Sequence, residues 1–138
     1  MKTQKGFTLV ELMIVVVVIS ILASIGIPAY NSYVTRGKLV EGTSALSDAR
    51  VKMEQFFQDN RTYDAGGGTT CPPAIPAATT NFTYACSDLS ATTYTITATG
   101  AGGLSAFVYS IDQANVKTSN TPWGNGATCW IMKEGDAC

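Results

Sequence analysis

The chain has 138 residues, nine basic and ten acidic side chains, a net charge of −1 and no histidine. That length leaves room for one small domain beside any membrane segment, and the charge balance argues against a strongly electrostatic nucleic-acid binder. The missing histidine removes its acid–base and metal chemistry, leaving little from which to build an enzyme, and no cofactor is expected.

The N-terminus is a short basic leader, Met1–Gly6, followed by 21 almost wholly apolar residues from Phe7 to Ile27 whose one charged member is Glu11. A helix needs about 20 apolar residues to cross a hydrocarbon core roughly 30 Å thick, so the segment is long enough to span. An acid inside such a segment costs on the order of a few kcal/mol unless it finds a partner, which marks Glu11 as functional. On pattern alone two readings stay open. One is a single-pass anchor. The other is a secretory signal peptide cut after Ser24-Ile25-Gly26, against which stand the nearby Pro28 and the acid inside the apolar run.

Beyond Pro28 the pattern becomes one-sided. Leu39, Gly42, Leu46, Ala49, Met53 and Phe56 recur at spacings of three and four, with Lys38, Glu41, Asp48, Lys52 and Glu54 off that stripe. This predicts one helix from about Phe7 to Asp59, perturbed near Gly26 and Pro28, because proline lacks an amide donor and clashes with the preceding turn. The first half suits lipid, and the second suits packing against a head domain.

From Thr62 to Thr80, three consecutive glycines and Cys71-Pro72-Pro73 predict irregular structure. Short alternating runs follow at Asn81–Ala85, Thr92–Ala98, Phe107–Asp112 and Val116–Ser119, with Tyr94 and Ile96 on one face and a hairpin turn at Gln113-Ala114-Asn115. The tail from Trp123 to Cys138 reads as a glycine-rich loop with one apolar patch at 129–132. The expected fold is α+β: a long N-terminal helix, apolar and then amphipathic, packed on a small antiparallel sheet of three or four strands, with a disulfide-bounded C-terminal loop. Segments are expected at 1–6 (leader), 7–29 (hydrophobic helix) and 30–138 (head), the head dividing into helix to about 59, loop 60–80, and sheet with disulfide region 81–138. An even count of four cysteines, Cys71, Cys86, Cys129 and Cys138, in a small exported domain suggests two disulfides. Of three possible connectivities, nearest-neighbour pairing is the one expected. With no histidine and no C-x-x-C, a zinc site is not expected.

The run Lys5-Gly6-Phe7-Thr8-Leu9-Val10-Glu11 resembles the class III leader and N-terminus of type IV prepilins. The similarity continues through Pro28-Ala29-Tyr30 and Arg36-Gly37-Lys38 into the paired C-terminal cysteines. The resemblance implies cleavage after Gly6 by a prepilin peptidase that also N-methylates Phe7. It implies that Glu11 faces the Phe7 amine of a neighbouring subunit and so sets assembly register. It implies that Gly26 and Pro28 mark a place where the helix can lose its winding, and that the Cys129–Cys138 loop is surface-exposed.

The function implied is a structural subunit of a type IV pilus, supporting adhesion, twitching motility or DNA uptake. The subunit would be held in the bacterial inner membrane before assembly and exposed in an extracellular filament afterwards. Its implied partners are copies of itself, other pilins, the peptidase–methyltransferase and the inner-membrane assembly machinery. Two alternatives share the N-terminus. A type II secretion pseudopilin commonly uses a calcium-stabilised loop where this chain has a cysteine-bounded one. A competence pilin that binds DNA would need a basic head, whereas residues after Asn60 offer only Arg61, Lys117 and Lys133 against Asp64, Asp88, Asp112, Glu134 and Asp136.

Overall fold

The computed structural model describes residues 6–64, 66–68 and 71–138. Leader residues 1–5 therefore lie outside the described residues, as do Ala65, Thr69 and Thr70 of the expected irregular loop. The chain divides into two compact units, Met1–Thr35 and Arg36–Cys138, and a single helix, α1 (Leu9–Asn60, 52 residues), contributes to both.

In the first unit α1 is apolar around its whole circumference. Its large apolar side chains from Leu9 to Tyr33 are all exposed, from Leu9 at 74% to Val15 and Val18 at 49%. It is long and apolar enough to cross a membrane by length and composition. The helical assignment continues through Gly26 and Pro28.

The second unit is the head. Here α1 buries Leu39, Gly42, Thr43, Leu46, Ala49 and Met53. The stripe thus follows the expected spacing to Met53 but then turns through Phe57, which packs on the core and stacks on Tyr63 at 4.6 Å. Phe56, the expected end of the stripe, is half-buried like Phe57 but does not pack on the core cluster. The helix stops because Arg61 takes a left-handed backbone (φ 59°) and returns its N–H to the Phe57 carbonyl at 2.7 Å.

Five antiparallel strands lie in simple order: β1 (Phe82–Ser87), β2 (Thr95–Gly100), β3 (Val108–Asp112), β4 (Lys117–Thr121) and β5 (Gly124–Gly126). The register sets Tyr84, Ala98, Tyr109, Ser119 and Gly126 in one row across the sheet. Alternation puts Phe82, Tyr94, Ile96, Ala98, Tyr109 and Ile111 inward, all essentially buried, against the helix stripe. Gly42 permits a close approach. A Cβ there would sit 2.8 Å from the ring of Phe82, so only glycine lets β1 lie this near the helix.

The β3–β4 hairpin turns where expected, with Asn115 left-handed (φ 61°) and the Asp112 carboxylate accepting the Val116 N–H at 2.8 Å. Between β2 and β3 lies one short 3-10 turn, Gly102–Leu104, whose Leu104 is buried. One feature differs from the sequence reading. The expected loop at 124–126 is instead the fifth strand. Gly-Asn-Gly carries no alternating side chains to signal a strand, and pairing with β4 makes it one.

Candidate functional site

The helix start is built by Thr8 and Glu11. The Thr8 hydroxyl accepts the Glu11 N–H at 3.2 Å, while Glu11 Oε2 accepts the N–H and the hydroxyl of Thr8, each at 3.4 Å. This is a reciprocal capping box, which satisfies amide donors otherwise orphaned at a helix N-terminus. It explains why α1 begins at Leu9 rather than Phe7. Thr8 was missed as a functional residue although its signal, threonine followed three positions later by glutamate ahead of an apolar run, stands in the sequence. Glu11 also lies where the helix dipole favours negative charge.

Phe7 and Gly6 precede the cap, both exposed, with nothing within 4 Å of where a Gly6 Cβ would point. Gly26 is equally open, and Pro28 offers no N–H to the carbonyl of Ser24 one turn back. Within the apolar stretch the two serines turn inward on their own backbone. Ser20 donates to the Val16 carbonyl and Ser24 to the Ile21 carbonyl, both at 2.7 Å. Such back-bonding removes the cost of carrying a hydroxyl where there is no water.

In the head, the cysteines form two disulfides, Cys71–Cys86 and Cys129–Cys138. The first ties the 60–80 loop to β1. The second closes the C-terminal segment, which side chains of the sheet also hold. Ser119 Oγ donates to the Cys129 carbonyl at 3.1 Å and accepts the Ile131 N–H at 3.0 Å, and the Tyr109 hydroxyl donates to the Ile131 carbonyl at 2.9 Å. Burial pushes the Tyr109 hydroxyl up to about 12. Gly126 fits beneath this segment because it lacks a Cβ, which would collide with the Cys129 carbonyl oxygen. The Asp136 carboxylate caps the N–H groups of Met132 and Lys133 and pairs with the Lys133 ammonium at 3.6 Å.

Trp130 donates its indole N–H to the Ser110 carbonyl at 2.9 Å and lies under the Lys117 ammonium, 4.8 Å from its ring centroid. Trp123 meets Phe107 edge-on at 4.9 Å, and both tryptophans pack against the core. The helix and the sheet edge are joined by Glu41. Hydrogen bonds from the Thr79 and Asn81 side chains hold its carboxyl below the ordinary value, the Asn81 amide donating at 2.7 Å.

Comparison with known proteins finds family models that match residues 1–107. Residues 1–27 match the family model described as the prokaryotic N-terminal methylation motif. Residues 28–107 match that described as type IV minor pilin ComP, DNA uptake sequence receptor. A type IV major fimbrial protein FimA of Dichelobacter nodosus is 52% identical over 56 residues, covering 41% of this chain and 35% of that protein. A second FimA from the same species is 45% identical over 67 residues, covering 49% and 42%. The chain thus spans about two-fifths of the length of the curated relatives it matches.

Proposed function

Because this chain belongs to the type IV pilin family, we propose that it is a structural subunit of a pilus filament, processed by a peptidase and not itself an enzyme. The reading is carried by one observation: the methylation motif of residues 1–27 opens a helix whose large apolar side chains lie bare from Leu9 to Ile27. So large an apolar surface needs a cover. Lipid supplies it in the bacterial inner membrane, and the same helices of neighbouring subunits supply it in an extracellular filament. Cleavage after Gly6 makes Phe7 the N-terminus, and N-methylation leaves its amine positive at neutral pH.

Glu11 then has two partners in succession. In the separate chain it closes the cap with Thr8. In the filament its carboxylate faces the Phe7 amine of the next subunit. A buried ion pair offsets its desolvation only when both charges are present and close, so a misplaced subunit leaves Glu11 unpaired. The pair specifies register more than it adds affinity. Gly26 and Pro28 mark where α1 can lengthen as the subunit leaves the membrane. Electron microscopy of sheared surface filaments, with mass spectrometry of their subunits, tests the reading. Filaments should contain this chain beginning at N-methylated Phe7 and be absent from a deletion strain. A mature chain that keeps Met1–Gly6 overturns it.

A second reading has its own support in the family model over residues 28–107, described as a DNA uptake sequence receptor. In that reading the head binds DNA, and Lys117 over Trp130 is the place where a cation and an aromatic face coincide. Gel shifts with the full chain in detergent test it. Retardation that fades as salt rises supports it, and no retardation at low salt removes it.

A further inference from the structure

On the pilus reading, the bond to be cut joins Gly6 to Phe7, and it lies just outside α1. Both residues are exposed and precede the helix, and the backbone bond from the Leu12 N–H to the Thr8 carbonyl, at 3.2 Å, stops short of them. Among the described residues no helix N–H reaches the carbonyl of Gly6 or Phe7. Nothing lies within 4 Å of where a Gly6 Cβ would point, so the bond is open on that side. A peptide bond is cut where its backbone is exposed and unpaired. A helical one must first be unwound, because its carbonyl is engaged one turn further on.

The side chain of Thr8 is what keeps the helix from growing back over this bond. To continue the helix upstream, the Glu11 N–H would donate to the Phe7 carbonyl and the Val10 N–H to the Gly6 carbonyl. The Thr8 hydroxyl takes the Glu11 N–H instead, at 3.2 Å, and Glu11 Oε2 accepts from Thr8 in return at 3.4 Å. At the end of an apolar stretch an N–H that loses its side-chain acceptor finds little water, so it turns to the upstream carbonyls. In the uncut chain those carbonyls belong to Gly6 and Phe7. Loss of the cap therefore winds the bond into the helix.

We propose that Thr8 is a positioning residue for leader removal: its cap fixes the helix start at Leu9 and so presents the Gly6–Phe7 bond unwound. The proposal rests on the pilus reading, in which a prepilin peptidase hydrolyses that bond, adding one water and leaving a Gly6 carboxylate and a Phe7 amine. The role is separate from that of Glu11 in assembly, because it is complete before any subunit docks. It acts on the fraction of uncut chain whose bond is free. A substrate competent for only part of the time binds with an affinity reduced by that fraction, so KM rises while kcat stays. Processing is slowed and not blocked, which leaves filaments near normal at steady state.

To test it, the full chain is made in a host without a prepilin peptidase, solubilised in detergent and incubated with a purified one, and loss of Met1–Gly6 is followed by mass spectrometry. Thr8→Val keeps the shape and removes the hydroxyl, whereas Thr8→Ser and Thr8→Asn change the shape and keep the capping ability. Thr8→Val should raise KM roughly fivefold, the equilibrium equivalent of a lost N-cap, with kcat little changed. The Cα chemical shifts of Gly6 and Phe7 should move toward helical values in the same variant. Thr8→Ser and Thr8→Asn should both restore wild-type kinetics. Wild-type kinetics in Thr8→Val overturn the proposal, as does a raised KM with unchanged shifts or a loss in kcat alone. Rescue by Thr8→Ser but not Thr8→Asn also overturns it, since the peptidase would then be reading the hydroxyl itself. A wild-type chain left uncut counts instead against the pilus reading.

Discussion

Thr8 and Glu11 bond each other reciprocally, at 3.2 Å through the Glu11 N–H and 3.4 Å through the Thr8 N–H, so the carboxylate proposed to meet a neighbouring subunit already has a partner in its own chain. Cap and charge are separable by mutation. Glu11→Gln keeps a side chain able to accept the Thr8 N–H and removes the charge. Thr8→Ala removes the hydroxyl and keeps the charge, costing the helix start about 0.5–2 kcal/mol. The expected outcome is filament loss in Glu11→Gln and near-normal filaments in Thr8→Ala, with faster amide exchange over the first turn of α1. Equal filament loss in both variants would assign Glu11 to capping alone.

Gly42 and Phe82 set the distance between helix and sheet. Gly42→Ala gains helix propensity of about 0.5–1 kcal/mol but drives a methyl to within 2.8 Å of the Phe82 ring. Overpacking costs typically about 1–3 kcal/mol, so the thermal midpoint should fall. The double variant Gly42→Ala/Phe82→Leu should recover part of the loss, since the smaller side chain vacates the space the methyl enters. Circular dichroism melts of the full chain in detergent measure both.

Ser119 holds two backbone groups of the C-terminal segment with one hydroxyl. Ser119→Ala leaves the buried Ile131 N–H unsatisfied, at a cost of about 1–3 kcal/mol. The Asn120→Ala change on the exposed neighbour should cost much less. Hydrogen exchange of the Ile131 amide is the local readout, and a protected Ile131 amide in Ser119→Ala would show that the segment is held by other means.

Tyr109 makes stability depend on alkaline pH. Its hydroxyl is raised by burial to about 12 from the usual 10.0, so between those values the folded chain holds a proton that the unfolded chain has lost. Stability from this group is therefore complete below about pH 10 and declines as pH rises toward 12. Burial raises Tyr94 in the same direction. Tyr109→Phe should be less stable than wild type at neutral pH, by about 1 kcal/mol for the bond to Ile131. Its stability should also fall less steeply above pH 10. Denaturant titrations at stepped pH give both numbers, and parallel pH profiles would exclude Tyr109 as the titrating group.

Much of this architecture is legible in the sequence because it is written in periodicity. The stripe from Leu39 to Met53 and the alternation of Tyr94 and Ile96 are each a direct record of one buried face. What escapes is structure that tertiary contact imposes. β5 has two glycines in three residues and exists because β4 pairs with it. The switch from Phe56 to Phe57 follows Tyr63, which lies past the end of the helix and stacks on the second ring. At the candidate site the acid was legible from its misfit with its surroundings. The cap was overlooked because Thr8, a small polar residue beside a long apolar run, has a local partner and no misfit.

The inward-turned hydroxyls of Ser20 and Ser24 bear on how a subunit could change surroundings. A polar group that bonds its environment must trade partners whenever that environment is replaced, and each trade adds an activation barrier. A hydroxyl that bonds its own backbone needs no partner from lipid or from a neighbouring subunit, so Ser20 and Ser24 add no such trade wherever the turns around them stay helical. On the pilus reading, the apolar stretch from Phe7 to Ile27 then exchanges one hydrocarbon surface for another, and Glu11 is the group in it that trades a polar partner.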